Sequence, residues 1–197
     1  IKTSGNVNVW GFDLDKNPRQ VRASLGIVPQ EVNLDAFFSP KKLLDLQAGL
    51  YGVKKKDRIT DLILSMVALE DKANAYSRSL SGGMKRRLLI AKAMAHQPPI
   101  LILDEPTDGL DPNQKHEVRN LISEMGATQG KAVVLSTHIL EEVEAVCTRA
   151  VIINKGKVVV DETPESLIAR APEGSGSAAM DVMFRSVTSG DVEESIQ

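Results

Sequence analysis

The amino-acid sequence predicts an α/β fold in which a parallel sheet carries a helical insert. Short apolar runs rich in β-branched residues, which are typical of buried strands, occur at residues 100–103, 132–135, 150–153 and 158–160. Ile27 and Val28 form an earlier apolar run. Residues 39–97, between this run and the one at residues 100–103, follow a helical period. This order is expected of an α/β core that bears a helical lobe.

The composition fits one folded core and excludes several classes of protein. The chain has 197 residues, of which 42% are apolar, and its net charge of -2 argues against a binder of nucleic acid or anionic membranes. The basic clusters at residues 54–56 and 85–87 are expected to be solvated. The single cysteine, Cys147, excludes an internal disulfide and fits a reducing compartment. No apolar run approaches the length of about 18 residues that spans a bilayer.

The N-terminal part and the helical insert contain recognisable start and stop signals. Residues 5–14 have a strand pattern, and the strand at residues 27–28 stops at Pro29. Ser39-Pro40 begins the first predicted helix, with Gly52 after its end. A third helix runs from Ser81 to about His96. The second has one apolar stripe, formed by Ile59, Leu62, Ile63, Met66 and Val67.

The rest of the chain alternates strands and helices. Residues 100–103 and 132–135, separated by a helix, are expected to be parallel strands buried on both faces. Thr163-Pro164 caps a short helix, and residues 171–179 form a linker. The helix after residue 103 begins at Asp111 and ends near Gly126, and its buried stripe is Val118, Leu121, Ile122 and Met125. A last amphipathic helix carries Met180, Met183, Phe184 and Val187.

Two adjacent carboxylates follow the strand at residues 100–103. Ligands of an open α/β sheet bind beyond the carboxyl ends of its strands, and Asp104 and Glu105 lie there. Phosphoryl transfer to water needs a metal that neutralises the phosphates and a group that orients the water. One carboxylate can serve each purpose. Taken alone, the pair is better explained as a solvated turn at the end of a strand.

A Ser-Gly-Gly turn opens the third predicted helix. The N-terminus of a helix exposes unpaired N–H groups and attracts anions. Gly82 and Gly83 let a phosphate approach the backbone without interference from a Cβ, and the Ser81 hydroxyl adds a donor. Taken alone, the turn is a common N-cap.

The order of these motifs resembles that of the ATP-binding cassette (ABC) ATPases. Residues 80–83 (Leu-Ser-Gly-Gly) are similar to the family's signature, Asp104-Glu105 to the end of Walker B, and Gly109-Leu110-Asp111 to the D-loop. One strand later, His138 is similar to the switch histidine, and Gln30 is similar to the Q-loop glutamine. Five elements in this order make a chance match a poor explanation, and the resemblance covers residues 5–165.

The resemblance implies a P-loop NTPase-type (RecA-like) α/β fold, with a parallel sheet core and a helical ABC subdomain. It assigns residues 1–30 to the remainder of the N-terminal β region and residues 31–97 to the helical subdomain. Residues 98–170 form the core with Walker B, D-loop and switch histidine. Residues 171–197 are the linker and a C-terminal amphipathic helix.

The resemblance also implies ATP and Mg²⁺ as cofactors. Asp104 would hold Mg²⁺ through water, and Glu105 would be the general base for the attacking water. His138 would contact the γ-phosphate. Gln30 would touch the metal and report the state of the nucleotide to a membrane partner.

The signature residues Ser81, Gly82 and Gly83 would serve a second ATPase subunit in a head-to-tail dimer. They would close on the γ-phosphate that this second subunit holds. Asp111 of the D-loop is expected to cap the following helix whether or not it acts across the dimer, so it has a structural role as well.

Some positions depart from the family pattern. Met84 replaces the consensus glutamine of the signature, and Asp108 stands where a small or amide residue is commoner. Walker A, G-x-x-x-x-G-K-[ST], has no match; residues 126–131 have too short a spacing and are predicted to end a helix. Because Walker A precedes residues 5–14 in this family, and Ile1 is not an initiator methionine, we expect a fragment that lacks the N-terminal part of the core and is inactive alone.

The expected function is that of the ATP-binding and ATP-hydrolysing subunit of an ABC transporter. Residues 180–184 with Thr188 resemble the closing helix of exporter-type ATPases for drugs, lipids or polysaccharides. The alternative is a small amphipathic helix that only packs on the core. The expected partners are a second ATPase subunit and a transmembrane permease, without nucleic acid, and the expected place is cytoplasmic, peripheral on the inner face of the cell membrane. Phe37 and Phe38 either receive a coupling helix of the permease or belong to the core of the lobe.

Two alternatives belong to other classes. A degenerate, non-catalytic cassette would lack Walker A and act as a partner or regulatory subunit, but the intact Glu105 and His138 count against it. ABC ATPases of chromosome maintenance or DNA repair carry long coiled-coil or zinc-bearing insertions between Q-loop and signature. The segment from Gln30 to Leu80 has neither heptads nor cysteine pairs, which excludes this alternative.

Overall fold

The described chain begins with a small antiparallel hairpin and a short helix. The computed structural model describes residues 3–189, which fall into two compact units divided in the sequence after Ser136. Strands β1 (Asn8–Val9) and β2 (Phe12–Asp13) pair across a turn in which Trp10 and Gly11 both have positive φ. This turn splits the strand pattern predicted over residues 5–14 into two strands. Helix α1 (Pro18–Ala23) follows and is not predicted, although Asn17-Pro18 is a start signal.

Three parallel strands form the sheet that positions the candidate site. They are β3 (Leu25–Val28), β4 (Ile100–Asp104) and β5 (Ala132–Ser136), in this order across the sheet. Val28 pairs with Leu103, and Leu103 pairs with Leu135, so the strands end at the same level. The parallel direction predicted for residues 100–103 and 132–135 is confirmed.

The two faces of this sheet differ in burial. Val28, Leu101 and Leu103 are fully buried on one face. On the other face, Ile27 and Val134 expose 60% and 55% of their surface, because successive residues of a strand point to opposite sides. The prediction of burial on both faces is therefore wrong for residues 132–135, whereas Ile102 of β4 is half-buried.

The helical insert is made of three helices, as predicted. They are α2 (Pro40–Leu50), α3 (Thr60–Met66) and α4 (Gly82–Met94). The hydroxyl of Ser39 caps the first of them. The stripe predicted for the second is confirmed at Ile63 and Val67 but wrong at Leu62, which is 58% exposed, while Leu64 is buried.

Helix α5 (Pro112–Gln129) connects β4 to β5. It buries the predicted stripe of Val118, Leu121, Ile122 and Met125. The predicted end near Gly126 is wrong, because the helix continues to Gln129 and Gly130 ends it in the left-handed conformation. A glycine at position 126 is simply tolerated inside the helix.

The second unit has its own hairpin and core. It contains α6 (Leu140–Val146), β6 (Ala150–Asn154), β7 (Lys157–Glu162), α7 (Pro164–Ala169) and α8 (Ala179–Ser189), with β6 and β7 antiparallel. The predicted cap at Thr163 is confirmed, and helix α6 is not predicted. The core consists of Val160, Leu167, Met180, Met183 and Val187. The apolar stripe predicted for α8 is confirmed at Met180, Met183 and Val187 but wrong at Phe184, which is exposed. Within residues 3–189, no helix is long and apolar enough to cross a membrane.

We expect Gly26→Ala to destabilise the first unit. A Cβ at position 26 would lie 2.4 Å from the Ala93 carbonyl oxygen of α4 and 2.6 Å from Leu101 Cδ2. The backbone oxygen cannot move aside, so the free energy of unfolding should fall by about 3 kcal/mol, as in other overpacked cores. Urea unfolding measures this change. Gly126→Ala is the matched control, because a Cβ there meets nothing within 4 Å, and it should stabilise the protein by about 0.5–1 kcal/mol. Equal stability of the two variants would contradict the packing.

Candidate functional site

The candidate site lies at the carboxyl ends of the three parallel strands. Because Val28, Leu103 and Leu135 share one level of the sheet, the residues that follow them are neighbours. Asp104 and Ser136 pair at the ends of β4 and β5, Glu105 follows Asp104, and Gln30 lies two residues beyond the end of β3. The register thus gathers an amide, two carboxylates and a hydroxyl from three distant parts of the chain at one edge.

Asp104 and Glu105 are fixed by the neighbouring strand β5. Ser136, which pairs with Asp104, donates its hydroxyl to Asp104 Oδ1. The Glu105 N–H donates to the Ser136 carbonyl at 3.0 Å, and the Asp108 N–H donates to the Glu105 carbonyl at 3.1 Å. Glu105 has a φ of 44°, in the left-handed region that residues other than glycine rarely adopt. Such strain concentrates at functional sites.

Gln30 is held by two residues that the sequence analysis did not connect with it. Its amide Nε2 donates to Asp108 Oδ2 at 3.1 Å. The guanidinium of Arg86 on α4 donates to the Pro29 carbonyl at 3.0 Å and to the Gln30 carbonyl at 2.8 Å. The helix that starts at the Ser-Gly-Gly turn is therefore bonded to the segment that carries Gln30.

Arg86 corrects one prediction from the sequence. The cluster at residues 85–87 was expected to be solvated, but Arg86 is only 3% exposed. Burial lowers the pKa of its guanidinium, and the Asp108 carboxylate opposes this shift. The spacing along the helix indicates this burial, because Arg86 lies three residues after the buried Gly83 and four residues before the buried Ile90, on the same face of α4.

The Ser-Gly-Gly turn is an N-cap with two different glycines. The Ser81 hydroxyl accepts the Met84 N–H at 3.2 Å, which caps α4. A Cβ at Gly82 would meet nothing within 4 Å, whereas a Cβ at Gly83 would lie 2.8 Å from Gln114 Cδ. Gly82 leaves open space at the helix N-terminus, whereas a side chain at Gly83 would displace the Gln114 side chain of α5.

The Gly-Leu-Asp segment after the carboxylates leads into α5. Gly109 has a φ of 69°, and the Leu110 N–H donates to the Thr107 carbonyl at 3.2 Å. Asp111 Oδ1 accepts the Gln114 N–H at 3.0 Å, so the predicted capping role of Asp111 is confirmed. Gln114 also contacts Gly83, which brings the beginnings of α4 and α5 together.

His138 belongs to the second unit. It is exposed and lies at the turn before α6. The neighbouring Thr137 hydroxyl donates to the buried Glu142 carboxylate at 2.9 Å and accepts the Ile139 N–H at 3.0 Å. These bonds order the turn that presents the histidine.

Residues 126–131 do not form a phosphate-binding loop. They lie in the last turns of α5 and its cap. Lys131 donates from Nζ to the Pro98 carbonyl at 2.8 Å, and burial lowers its pKa. The helix does end within this segment, but at Gly130 rather than near Gly126.

The donor set at the carboxyl ends of the strands suits a hard cation. Carboxylate and amide oxygens are ligands of Mg²⁺, which usually needs one or two carboxylates together with phosphates and water. Within residues 3–189, no group of three or more His, Cys, Asp and Glu side chains could hold a metal ion. Asp104 fits a site completed by a nucleotide, because few protein ligands are needed there.

Comparison with known proteins agrees with this geometry. The chain matches the ABC transporter family over residues 1–108. It is 35% identical to the Nod factor export ATP-binding protein I of Rhizobium etli over 84% of this chain and 52% of that protein. Its identity to the protein of the same name from Paraburkholderia xenovorans is 36%, over 84% of this chain and 55% of that protein. The chain spans about half the length of these relatives.

Solved structures show the same fold. A structure described as the ATP-binding subunit of an ABC transporter has a TM-score of 0.76 and 28% identity, over 94% of this chain and 77% of that chain. A dimeric ATP-binding cassette in a post-hydrolysis state, bound to ADP and Pi, has a TM-score of 0.70 and 27% identity, over 82% and 74% of the two chains.

The fold and the motifs at its strand ends define an α/β protein of the P-loop NTPase type, as the sequence predicts. More specifically, the chain belongs to the ABC transporter family, whose match covers more than half of its residues. The family resemblance of the sequence motifs is thereby confirmed.

We expect Gly83→Ala to lower the free energy of unfolding by about 1 kcal/mol, because the new Cβ displaces Gln114. Gly82→Ala, in open space on the same turn, is the matched control and should leave stability equal or slightly higher. Adding Gln114→Ala to Gly83→Ala should relieve the clash. Urea unfolding of the four proteins tests this. A Gly83→Ala protein as stable as Gly82→Ala would show that the contact does not matter.

Proposed function

We propose that this chain forms the signature, Walker B and switch-histidine part of an ATP-hydrolysing subunit that powers an ABC transporter. The observation that carries the proposal is the arrangement at the carboxyl ends of the parallel strands, where Asp104 and Glu105 are bonded to Ser136 and Gln30 is bonded to Asp108. The family match supports it. The names of the relatives, which are export ATP-binding proteins, favour export as the direction of transport.

The family resemblance implies the roles of the site residues, and the chemistry of their side chains suits these roles. Mg²⁺, bound with ATP, neutralises charge on the phosphates, and Asp104 and Gln30 are the residues that would hold it. The Ser136 hydroxyl restricts Asp104 to one orientation. Glu105 accepts the proton of the attacking water as general base, and His138 contacts the γ-phosphate and fixes the geometry around this water.

The signature turn acts on the nucleotide of a second ATPase subunit in a head-to-tail dimer. Its support is the open N-terminus of α4 at Gly82, together with the dimeric state of the cassette of known structure that contains ADP and Pi. The Ser81 hydroxyl and the N–H groups of this turn donate to the γ-phosphate. The D-loop, which includes Asp111, lies beside the signature turn, because Gln114 at the start of α5 contacts Gly83.

A transmembrane permease subunit is the proposed second partner, which places the protein on the cytoplasmic face of the cell membrane. Phe37 is 70% exposed, so its assignment to the core of the lobe is wrong. A cavity of about 480 Å³ lies between the lobe and β3. Stacked Tyr51 and His96 line this cavity, with ring centroids 3.7 Å apart. We place the contact of a coupling helix at Phe37 and at this cavity, whose lining includes Pro29, the residue before Gln30.

The 197-residue chain alone should neither bind ATP tightly nor hydrolyse it. It contains no G-x-x-x-x-G-K-[ST] sequence, and Lys131 is bonded to a backbone carbonyl. Release of phosphate and calorimetric titration with Mg-ATP measure this directly. Joining a segment with a phosphate-binding loop before residue 1 should restore both properties. Robust turnover by the chain alone would overturn the prediction, and an inactive extended protein would favour the non-catalytic cassette.

In the extended protein, Glu105→Gln should lower kcat by about 10²–10⁴-fold, because the general base is lost while the side-chain shape is kept. ATP-dependent dimerisation should persist, since binding does not need the base. Phosphate release and size-exclusion chromatography with ATP give the two readouts. Glu124→Gln, an exposed glutamate on α5, is the control and should retain activity. Undiminished hydrolysis in Glu105→Gln would refute the assignment.

A further inference from the structure

The position of Gln30 depends on two charged residues outside the strand that carries it. Arg86, almost fully buried on α4, donates its two terminal nitrogens to the consecutive carbonyls of Pro29 and Gln30. A planar guanidinium can reach both oxygens at once, which a lysine ammonium cannot do with the same geometry. The backbone after β3 is therefore fixed by one side chain from the signature helix.

The side chain of Gln30 is fixed from the opposite direction. An ionised carboxylate only accepts hydrogen bonds, so Asp108 must face the amide nitrogen of Gln30 rather than its oxygen. With Nε2 held at 3.1 Å from Asp108 Oδ2, the amide oxygen points away from Asp108. An oxygen oriented in this way is the atom that a hard cation takes.

We propose that Arg86 and Asp108 are positioning residues that aim the Gln30 oxygen at the metal of the nucleotide. Arg86 sets the backbone of Gln30, and Asp108 selects the orientation of its amide. Asp108 is in turn tied to the Walker B segment, because its N–H donates to the Glu105 carbonyl. The inference deepens the proposed function and rests on it for the role of Mg²⁺, while the hydrogen bonds themselves do not depend on ATP.

The first test uses the 197-residue chain and nuclear magnetic resonance of the glutamine side-chain amides. The pair of N–H resonances from the Gln30 side chain, called the Gln30 pair, is identified by its loss in Gln30→Ala. Asp108→Ala should move this pair to the position of a solvated amide, and Asp108→Asn, which keeps an acceptor, should move it less. Arg86→Lys should shift the backbone resonances of residues 30 and 31. An unmoved Gln30 pair in Asp108→Ala would overturn the inference.

Arg87→Lys is the matched control for Arg86→Lys. Arg87 is the next residue of α4 and also donates to a backbone carbonyl, that of Val67 at 3.1 Å, but this carbonyl lies in the helical lobe. Its substitution should leave the Gln30 resonances in place. Equal shifts in both variants would mean that the effect is a general loosening of α4, which contradicts a specific role for Arg86.

The second test measures the Mg²⁺ requirement of ATP hydrolysis in the protein extended by a phosphate-binding loop. Asp108→Ala and Arg86→Lys should raise the half-saturating Mg²⁺ concentration about 10-fold, as loss of an outer-shell partner does, with little change of the KM for ATP at saturating Mg²⁺. Asp108→Asn should rescue part of the loss. Unchanged Mg²⁺ dependence would overturn the inference even if hydrolysis is normal, whereas absence of hydrolysis in the unsubstituted protein would overturn the proposed function and leave the resonance test standing.

Discussion

The register of the three parallel strands is the constraint on which the candidate site depends. Val28, Leu103 and Leu135 lie at one level, so each strand delivers its next polar residues to the same edge. A slip of one residue would turn the carboxyl-end side chains to the opposite face of the sheet. Gly26 makes this register compatible with the close approach of α4, because any side chain there would strike the Ala93 carbonyl.

Helix α4 joins two parts of the site that lie far apart in the sequence. Its first turn presents Gly82 to open space, and one turn later Arg86 is bonded to the backbone of Gln30. A buried guanidinium carries a desolvation cost, which its two carbonyl bonds and the nearby Asp108 carboxylate offset. Displacement of α4 would expose the Arg86 guanidinium or break its bonds to the carbonyls of Pro29 and Gln30. These bonds therefore couple the movement of α4 to that of the segment at Gln30.

Local features of this fold could be predicted from the sequence, and long-range pairings could not. The caps at Ser39, Ser81 and Asp111 each close a hydrogen bond within three residues, so their signal is contained in the local sequence. The bond between Gln30 and Asp108 spans 78 residues and depends on packing. Edges of apolar stripes were also missed, because a residue such as Leu62 on α3 satisfies the helical spacing yet falls outside the buried arc.

The backbone of Glu105 shows why the site itself was only partly predictable. Its type and position follow from the strand that precedes it, but nothing in the sequence indicates a left-handed residue there. A strained non-glycine φ costs on the order of 1 kcal/mol or more and persists only where neighbours determine it. Here the bonds from Glu105 N–H to Ser136 and from Asp108 N–H to Glu105 supply that support. Because a left-handed residue breaks the alternation of a strand, the chain turns at Glu105 and buries Thr107, and the same turn delivers Asp108 to Gln30.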